Sequence, residues 1–231
     1  MSELLSIGIL PLVLTLCAYQ LVAWLKKKLK MPILSPVVVG AILVLLALWV
    51  LDIPQTEYQQ GMKLVSWLLT PATVCLAIPM YEHLQTLRRS LPAVLLSVIA
   101  GSASCILVIL VFAPVFGFDR QLTVSLLPKS VTTAIGVPLS ELSGGLSAVT
   151  TAAIAITGNL AAIIGPGLCK LFKLTDPVAQ GVAYGTSGHV VGTSKASELG
   201  DLPAAAGSLS LVIAGILTAI LFPLLMILSV R

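Results

Sequence analysis

Charged side chains are scarce in this chain: only 10% of its 231 residues are Asp, Glu, Lys or Arg. It has two histidines and four cysteines, and none are spaced as metal ligands or as a redox CxxC pair. We therefore expect no metal and no cofactor. Hydrophobic residues make up 58% of the chain, which is too much for a soluble domain of this length. The composition predicts an all-α polytopic membrane protein without a nucleic-acid partner.

Six windows are long and apolar enough to span a lipid bilayer, which takes about 20 residues. They cover residues 4–25, 31–51, 62–81, 91–113, 145–169 and 202–230. The first window is expected to remain as an anchor, because its lysine cluster follows the apolar stretch instead of preceding it.

Basic residues predict which loops face the cytoplasm, since loops rich in Lys and Arg are retained there. Such residues follow alternate spans: Lys26, Lys27, Lys28, Lys30, Arg88, Arg89, Lys170 and Lys173. This bias predicts that both termini lie outside the cytoplasm. We expect Glu82, Arg88 and Arg89 to belong to a solvated cytoplasmic loop.

One stretch of the chain occurs twice. A shift of 57 positions superposes residues 130–168 on residues 187–225 and matches Ser140-Glu141-Leu142 to Ser197-Glu198-Leu199. Each copy joins a polar segment to a long apolar helix. Repeats that enter a membrane from opposite sides are typical of secondary transporters, whose site lies at the midplane.

The polar segments, residues 122–143 and 177–200, are predicted to be re-entrant hairpins. If residues 122–143 crossed the membrane fully, Lys170 and Lys173 would lie outside, against the bias. The limbs 122–128 and 134–143 each reach about halfway through a hydrocarbon core. Between them is the first tip, residues 128–133 (PKSVTT), and the second copy has the second tip, residues 185–189 (GTSGH).

Broken helices survive at membrane depth only inside protein or beside water, so the two tips should meet. Their half-helix N-termini favour an anion. We interpret Lys129 as the counter-charge for a substrate carboxylate, because charged residues at this depth are usually functional. The alternatives are that it snorkels or pairs with Glu141 or Glu198.

Other polar side chains near the tips each have a functional and a structural interpretation. Ser130, Thr132 and Thr133 offer hydroxyls to a small acid or to broken backbone. His189 and Glu198 are candidates for proton coupling. Alternatively, His189 is a satisfied interior residue bonded to a tip carbonyl, and Glu198 is a helical partner of Lys195.

Asn159, within an apolar helix, either bonds to a tip or substrate or cements helix packing. The pairs Gly181/Gly185 and Gly188/Gly192 match a spacing that permits close helix approach.

Catalysis is not expected. Ser187, His189 and Asp201 are the residue types of a hydrolase triad, but no nucleophile elbow surrounds them. The sequence Pro128-Lys129-Ser130 ends like a phosphate loop but has no upstream glycines.

Residues 126–145 (LLPKSVTTAIGVPLSELSGG) together with 185–200 (GTSGHVVGTSKASELG) resemble the LrgB/CidB family. The resemblance covers essentially the whole chain, and its motifs include Gly192, Thr193 and Glu198. Ala134 stands where the family commonly has proline, so the first tip is expected to differ slightly.

This resemblance implies residence in the inner membrane of a bacterium and two classes of function. Bacterial members are described as antiholin-like or holin-like proteins that influence murein hydrolase export and autolysis, often beside a small LrgA/CidA-type membrane partner. Plant plastidial relatives carry glycolate and glycerate, and some bacterial pairs are linked to pyruvate uptake.

The residue pattern favours a carrier of small monocarboxylates, with a holin-like or antiholin-like protein as the alternative. A scaffold of four spans (1–121) is expected to hold a moving unit (122–231, with copies 122–172 and 177–231), in a homodimer or higher oligomer. The predicted substrate residues are Lys129, Ser130, Thr132, Thr133, Asn159, Thr186, Ser187, His189, Gly192 and Thr193.

Overall fold

A computed structural model describes residues 2–29, 36–75 and 77–229. The regular elements in these ranges are all helical, as the sequence predicts. In chain order they are α1 (Ser2–Leu29), α2 (Pro36–Val50), α3 (Gln55–Gly61), α4 (Lys63–Cys75), α5 (Ala77–Glu82), α6 (Leu84–Val115), α7 (Arg120–Leu126), α8 (Thr133–Leu142), α9 (Ser147–Leu171), α10 (Pro177–Ser197) and α11 (Asp201–Ser229).

The chain separates into two compact units, Met1–Cys75 and Leu76–Arg231. In the first unit α1 packs on α2 and α3, and the Thr15 hydroxyl lies 3.0 Å from the Tyr58 hydroxyl. In the second unit, Val94 and Val98 of α6 are buried with Val182 of α10 and Ala205 of α11. Helix α6 therefore belongs to the same packed unit as the two polar segments. The functional division at residue 121 stays a prediction.

Within the described ranges, four helical segments are long and apolar enough to cross a membrane: Ile9–Lys28, Leu84–Val115, Ser147–Leu171 and Asp201–Met226. They correspond to four of the six predicted windows. The window 31–51 begins outside the described residues, and its described part is the 15-residue α2. The window 62–81 is covered by α4 and α5, on either side of residue 76, which is outside the described residues. The arrangement of six spans with two hairpins stays a prediction.

The loop predicted around Arg88 and Arg89 is instead helical. Both residues lie in the first turns of α6, which starts at Leu84 and runs for 32 residues. Leu87 is only 3% exposed and packs in the core of the second unit, so apolar burial extends the helix beyond the apolar window.

The first polar segment has the predicted interruption. Asp119 caps α7 by accepting a hydrogen bond from the Leu122 amide at 2.7 Å. Consecutive turns follow, with the Lys129 amide donating to the Leu126 carbonyl and the Val131 amide to the Pro128 carbonyl. Helix α8 then starts after Thr132, whose backbone is extended.

A buried hydroxyl network holds α7, α8 and α9 together. The Thr150 hydroxyl of α9 lies 2.7 Å from the Ser140 hydroxyl and 3.0 Å from the Ser125 carbonyl, and all three residues are fully buried. Ser125 in turn accepts from the Leu146 amide. A Cβ on Gly145 would lie 2.2 Å from the Ser140 oxygen, so this glycine makes room for the network.

The second polar segment is interrupted at His189, within α10. His189 has φ 43° and ψ −133°, which no helix contains, and it separates the limbs 177–188 and 190–197. A Cβ on Gly192 would lie 2.0 Å from the Tyr184 carbonyl oxygen, although eight residues of straight helix span about 12 Å. The chain therefore doubles back between Tyr184 and Gly192.

The register of the internal repeat agrees with these two interruptions. Thr132 and His189 are superposed by the shift of 57 positions, and each is the non-helical residue from which a second limb starts. Residues 185–188 of the predicted second tip are helical, so the break is narrower than expected. Membrane depth and opposite orientation of the copies stay predictions.

The glycines of the first α10 limb permit the expected close approach to a neighbour. A Cβ on Gly181 would lie 2.3 Å from the Pro203 carbonyl oxygen, and one on Gly185 would lie 2.2 Å from that of Gly207. Both partners are backbone atoms of α11, so these two glycines set the distance between α10 and α11.

Gly192→Ala is expected to destabilise the protein by about 1–3 kcal/mol, because the added methyl group meets a backbone oxygen. Gly167→Ala in α9 is the matched control, since a Cβ there meets nothing within 4 Å. Thermal unfolding of both variants in detergent, followed by circular dichroism, checks this. Equal midpoints would contradict the reversal at Gly192.

Thr150→Val is expected to cost about 1–3 kcal/mol, because it removes the hydroxyl that joins Ser140 to Ser125. Thr151→Val, on an exposed position of the same helix, should leave stability nearly unchanged. The same unfolding measurement compares the two, and a larger loss for Thr151→Val would refute the network's role.

Candidate functional site

A cavity of about 400 Å³ lies where the first tip, α9 and α10 come together. Lys129 and Ser130 line it from the first tip, and Tyr184 and Ser187 line it from the first α10 limb. Cys105 of α6 completes one wall, and most of the remaining lining is apolar α9. We call it the lysine cavity. An apolar pocket with a few convergent polar groups is typical of a small-molecule site.

Lys129 forms no ion pair within the described part of the chain. The carboxylates proposed as its partners are engaged elsewhere: Glu141 accepts from the Ser147 hydroxyl, and Glu198 pairs with Lys195. Lys129 is half-buried, lines the cavity and has no counter-charge among the described residues. This arrangement suits an anionic guest.

Three buried side-chain oxygens have no hydrogen-bond partner among the described residues: Ser130 Oγ, Asn159 Oδ1 and Thr186 Oγ1. Buried polar atoms are nearly always paired, so each of these needs an explanation. All three belong to the predicted substrate residues. The Asn159 amide nitrogen is satisfied by the Ala155 carbonyl at 2.8 Å, which leaves only its oxygen free to accept.

His189 is held against α9. Its Nε2 lies 2.9 Å from the Ile154 carbonyl oxygen, and because a carbonyl only accepts, Nε2 carries the proton. The ring packs so closely on Gly158 that a Cβ there would lie 2.6 Å from Nε2. Thr193 donates to the His189 carbonyl at 2.9 Å. This geometry favours the interior, satisfied histidine, with its acceptor on α9 and not on a tip.

Several predicted residues do not line the lysine cavity. Thr132 starts α8 without a side-chain cap bond, and Thr133 is exposed. Asn159, His189, Gly192 and Thr193 lie around the break in α10 or on the facing part of α9 and are absent from the lining. Thr186 lines a neighbouring cavity instead. Whether these residues contact a substrate stays a prediction.

Glu198 forms an ion pair with Lys195, which lies about one helical turn earlier in the chain. Its side chain is more than half exposed. The geometry therefore favours the helical ion pair over proton coupling for this residue.

Sequence reasoning missed Tyr184, Cys169 and Cys105, which all line the lysine cavity. The Tyr184 ring lies over Gly165 of α9, where a Cβ would be 2.4 Å from the ring. Cys105 and Cys169 lie within apolar helices, whereas Tyr184 directly precedes the second tip in the polar helix α10. The one signal in the sequence is that Gly165 and Cys169 are small residues four positions apart on one face of α9, a spacing that indicates close approach of another helix.

Comparison with known proteins identifies the group to which the chain is similar. Residues 15–228 match the LrgB-like family. The "Antiholin-like protein LrgB" of Bacillus cereus (strain B4264) is 32% identical over 192 residues, which cover 83% of this chain and 84% of that protein. The protein of the same name from Bacillus anthracis (strain A0248) has the same identity and coverage. No solved structure matches. By this match, and by the motifs on both interrupted segments, the chain belongs to the LrgB-like family.

Proposed function

We propose that this chain is a membrane carrier of small monocarboxylates such as pyruvate, glycolate or glycerate, and that it binds the anion in the lysine cavity. The observation that carries the proposal is Lys129, a half-buried cation without an acidic partner in the described residues. The neighbouring Ser130 oxygen is buried and unpaired there too. A carboxylate in the cavity supplies the missing charge and an acceptor for the hydroxyl.

The dimensions of the cavity agree with this substrate class. A volume of about 400 Å³ lies at the lower end of the range for ligand pockets, about 300–1,000 Å³. Its apolar α9 wall suits the short carbon chain of such an acid, and Ser187 and Tyr184 of α10 add polar residues to the lining. A two- or three-carbon acid fits with room for water.

A second function is favoured by the comparisons, which support it more directly than they support the carrier. The relatives are named antiholin-like. In this function the chain modulates membrane permeability, murein hydrolase export and autolysis, with a small LrgA/CidA-type membrane protein as partner. Such a role needs assembly with other subunits and does not require Lys129.

Lys129→Ala is expected to lower carboxylate uptake into proteoliposomes at least about tenfold, since a charge-assisted bond contributes about 1.5–3 kcal/mol. The measurement is uptake of radiolabelled pyruvate, glycolate and glycerate by the full chain, with and without a small LrgA/CidA-type protein. Lys195→Ala is the matched control, because a surface ion pair contributes little and uptake should change less than about twofold.

The same vesicles separate the two functions. Saturable uptake that depends on Lys129 supports the carrier. Release of a trapped fluorescent dextran that is unchanged in Lys129→Ala, without carboxylate uptake, supports the antiholin-like function and refutes the carrier.

Thr186→Val is expected to keep or raise the unfolding midpoint while lowering uptake. The hydroxyl it removes is buried without a partner among the described residues, so no protein hydrogen bond is lost. Thr150→Val, which does lose such bonds, should lower the midpoint and so provides the contrast. A fall in stability for Thr186→Val, with uptake intact, would show that its hydroxyl serves packing alone.

A further inference from the structure

Helix α6 presents a face of small residues to the first limb of α10. Ser90, Ala93, Ser97, Gly101 and Cys105 recur every three or four positions, which places them on one side of the helix. All five line a cavity of about 480 Å³ whose other wall is α10. We call it the α6–α10 cavity. The sequence placed α6 in a scaffold, so this cavity is outside the predicted site.

Thr186 is a buried polar residue in the wall of this cavity. It lines the cavity, is only 6% exposed, and its hydroxyl oxygen has no partner within the described ranges. Helical Ser and Thr side chains commonly bond to the carbonyl four residues earlier. Ser187 does so with Ala183 and Thr193 with His189. Thr186 does not, so its oxygen is left for another donor or acceptor.

The α6–α10 cavity adjoins the lysine cavity. Cys105, Leu174, Ala183 and Ser187 line both of them. From Ser90 to Cys105 the α6 face extends 15 residues, or about 22 Å. The two cavities thus adjoin one another from Leu174, just before α10, to Ser187 within it, they both reach α6 at Cys105, and Lys129 lines the second of them.

The far end of the α6–α10 cavity is formed by Ser90 and Asp176, near the start of each helix. Asp176 accepts from the Ala179 amide at 2.7 Å, so its carboxylate caps α10. The basic residues near this end in sequence are Arg88, Arg89, Lys170 and Lys173. Their excess over acidic residues attracts anions and, by the positive-inside bias, predicts that this end faces the cytoplasm.

We propose that the α6–α10 cavity is the route by which a small monocarboxylate passes between the cytoplasm and the lysine cavity. This inference rests on the proposed carrier function. It assigns α6 a direct part in the substrate path, with Ser97 and Gly101 as wall residues and Thr186 as a polar contact on the way to Lys129.

Cysteine accessibility tests the route. Ser97→Cys and Leu96→Cys are made in a chain whose four native cysteines are serine. Leu96 is the matched control, because it is the adjacent α6 residue and 69% exposed on the outer surface, away from the cavity. Sealed inside-out and right-side-out vesicles are treated with the impermeant anionic reagent 2-sulfonatoethyl methanethiosulfonate, and labelling is followed by peptide mass spectrometry.

In inside-out vesicles S97C is expected to react at least about tenfold faster than L96C, because only a thiol in contact with water forms the thiolate. Labelled S97C should also lose carboxylate uptake, whereas treated L96C retains it. Equal rates for the two variants, or reaction of S97C only in right-side-out vesicles, would overturn the route.

A measurement without any substitution covers the case in which the cysteine-free chain does not fold. Native Cys105 lines both cavities and should be labelled from the same side in the wild-type chain; an unreactive Cys105 counts against the route. Uptake that depends on Lys129 with an unreactive S97C overturns the route alone. A reactive S97C without any uptake overturns the carrier function instead.

Discussion

A helix that breaks within a packed unit exposes amide and carbonyl groups that need partners, and the packing around both breaks of this chain meets that constraint. At His189 the break packs against α9: the imidazole ring lies on Gly158, and its Nε2–H donates a hydrogen bond to the Ile154 carbonyl. At the first tip the turns satisfy part of the backbone, and the hydroxyl of Thr150 ties α9 to the limbs on either side. Helix α9 is therefore the common support of both interruptions.

Because α9 supports both breaks, it also forms much of the wall of the lysine cavity, which Lys129 and Ser187 line as well. The first tip brings Lys129 to one side of the lysine cavity, and the first α10 limb brings Ser187 to the other. Each half is fixed by contacts that use up local polar groups, as with Glu141 and Ser147. Three buried side-chain oxygens have no partner among the described residues, and two of them belong to Ser130 and Thr186, which line the adjoining cavities. The third belongs to Asn159, which lines neither cavity.

Much of the fold was predictable because it follows from local pattern. Apolar length predicted four of the long helices, and the internal repeat predicted two interruptions whose aligned residues, Thr132 and His189, are non-helical in both copies. The prediction was wrong about Arg88 and Arg89, since the burial of Leu87 by distant helices extends α6 past its apolar window. Hydropathy within a window contains no information about such long-range packing.

The sequence by itself determined the class of protein, the position of both helix breaks and the presence of a lysine beside hydroxyl residues, because each depends on composition or on neighbours in the chain. Only the tertiary structure decided which polar groups are free. It turns His189 toward α9, leaves the Lys129 ammonium group and the Thr186 hydroxyl without protein partners in the described residues, and brings α6 to the site. These outcomes depend on which side chains meet across the fold, and that is settled by how closely glycines such as Gly158 and Gly185 let the helices approach.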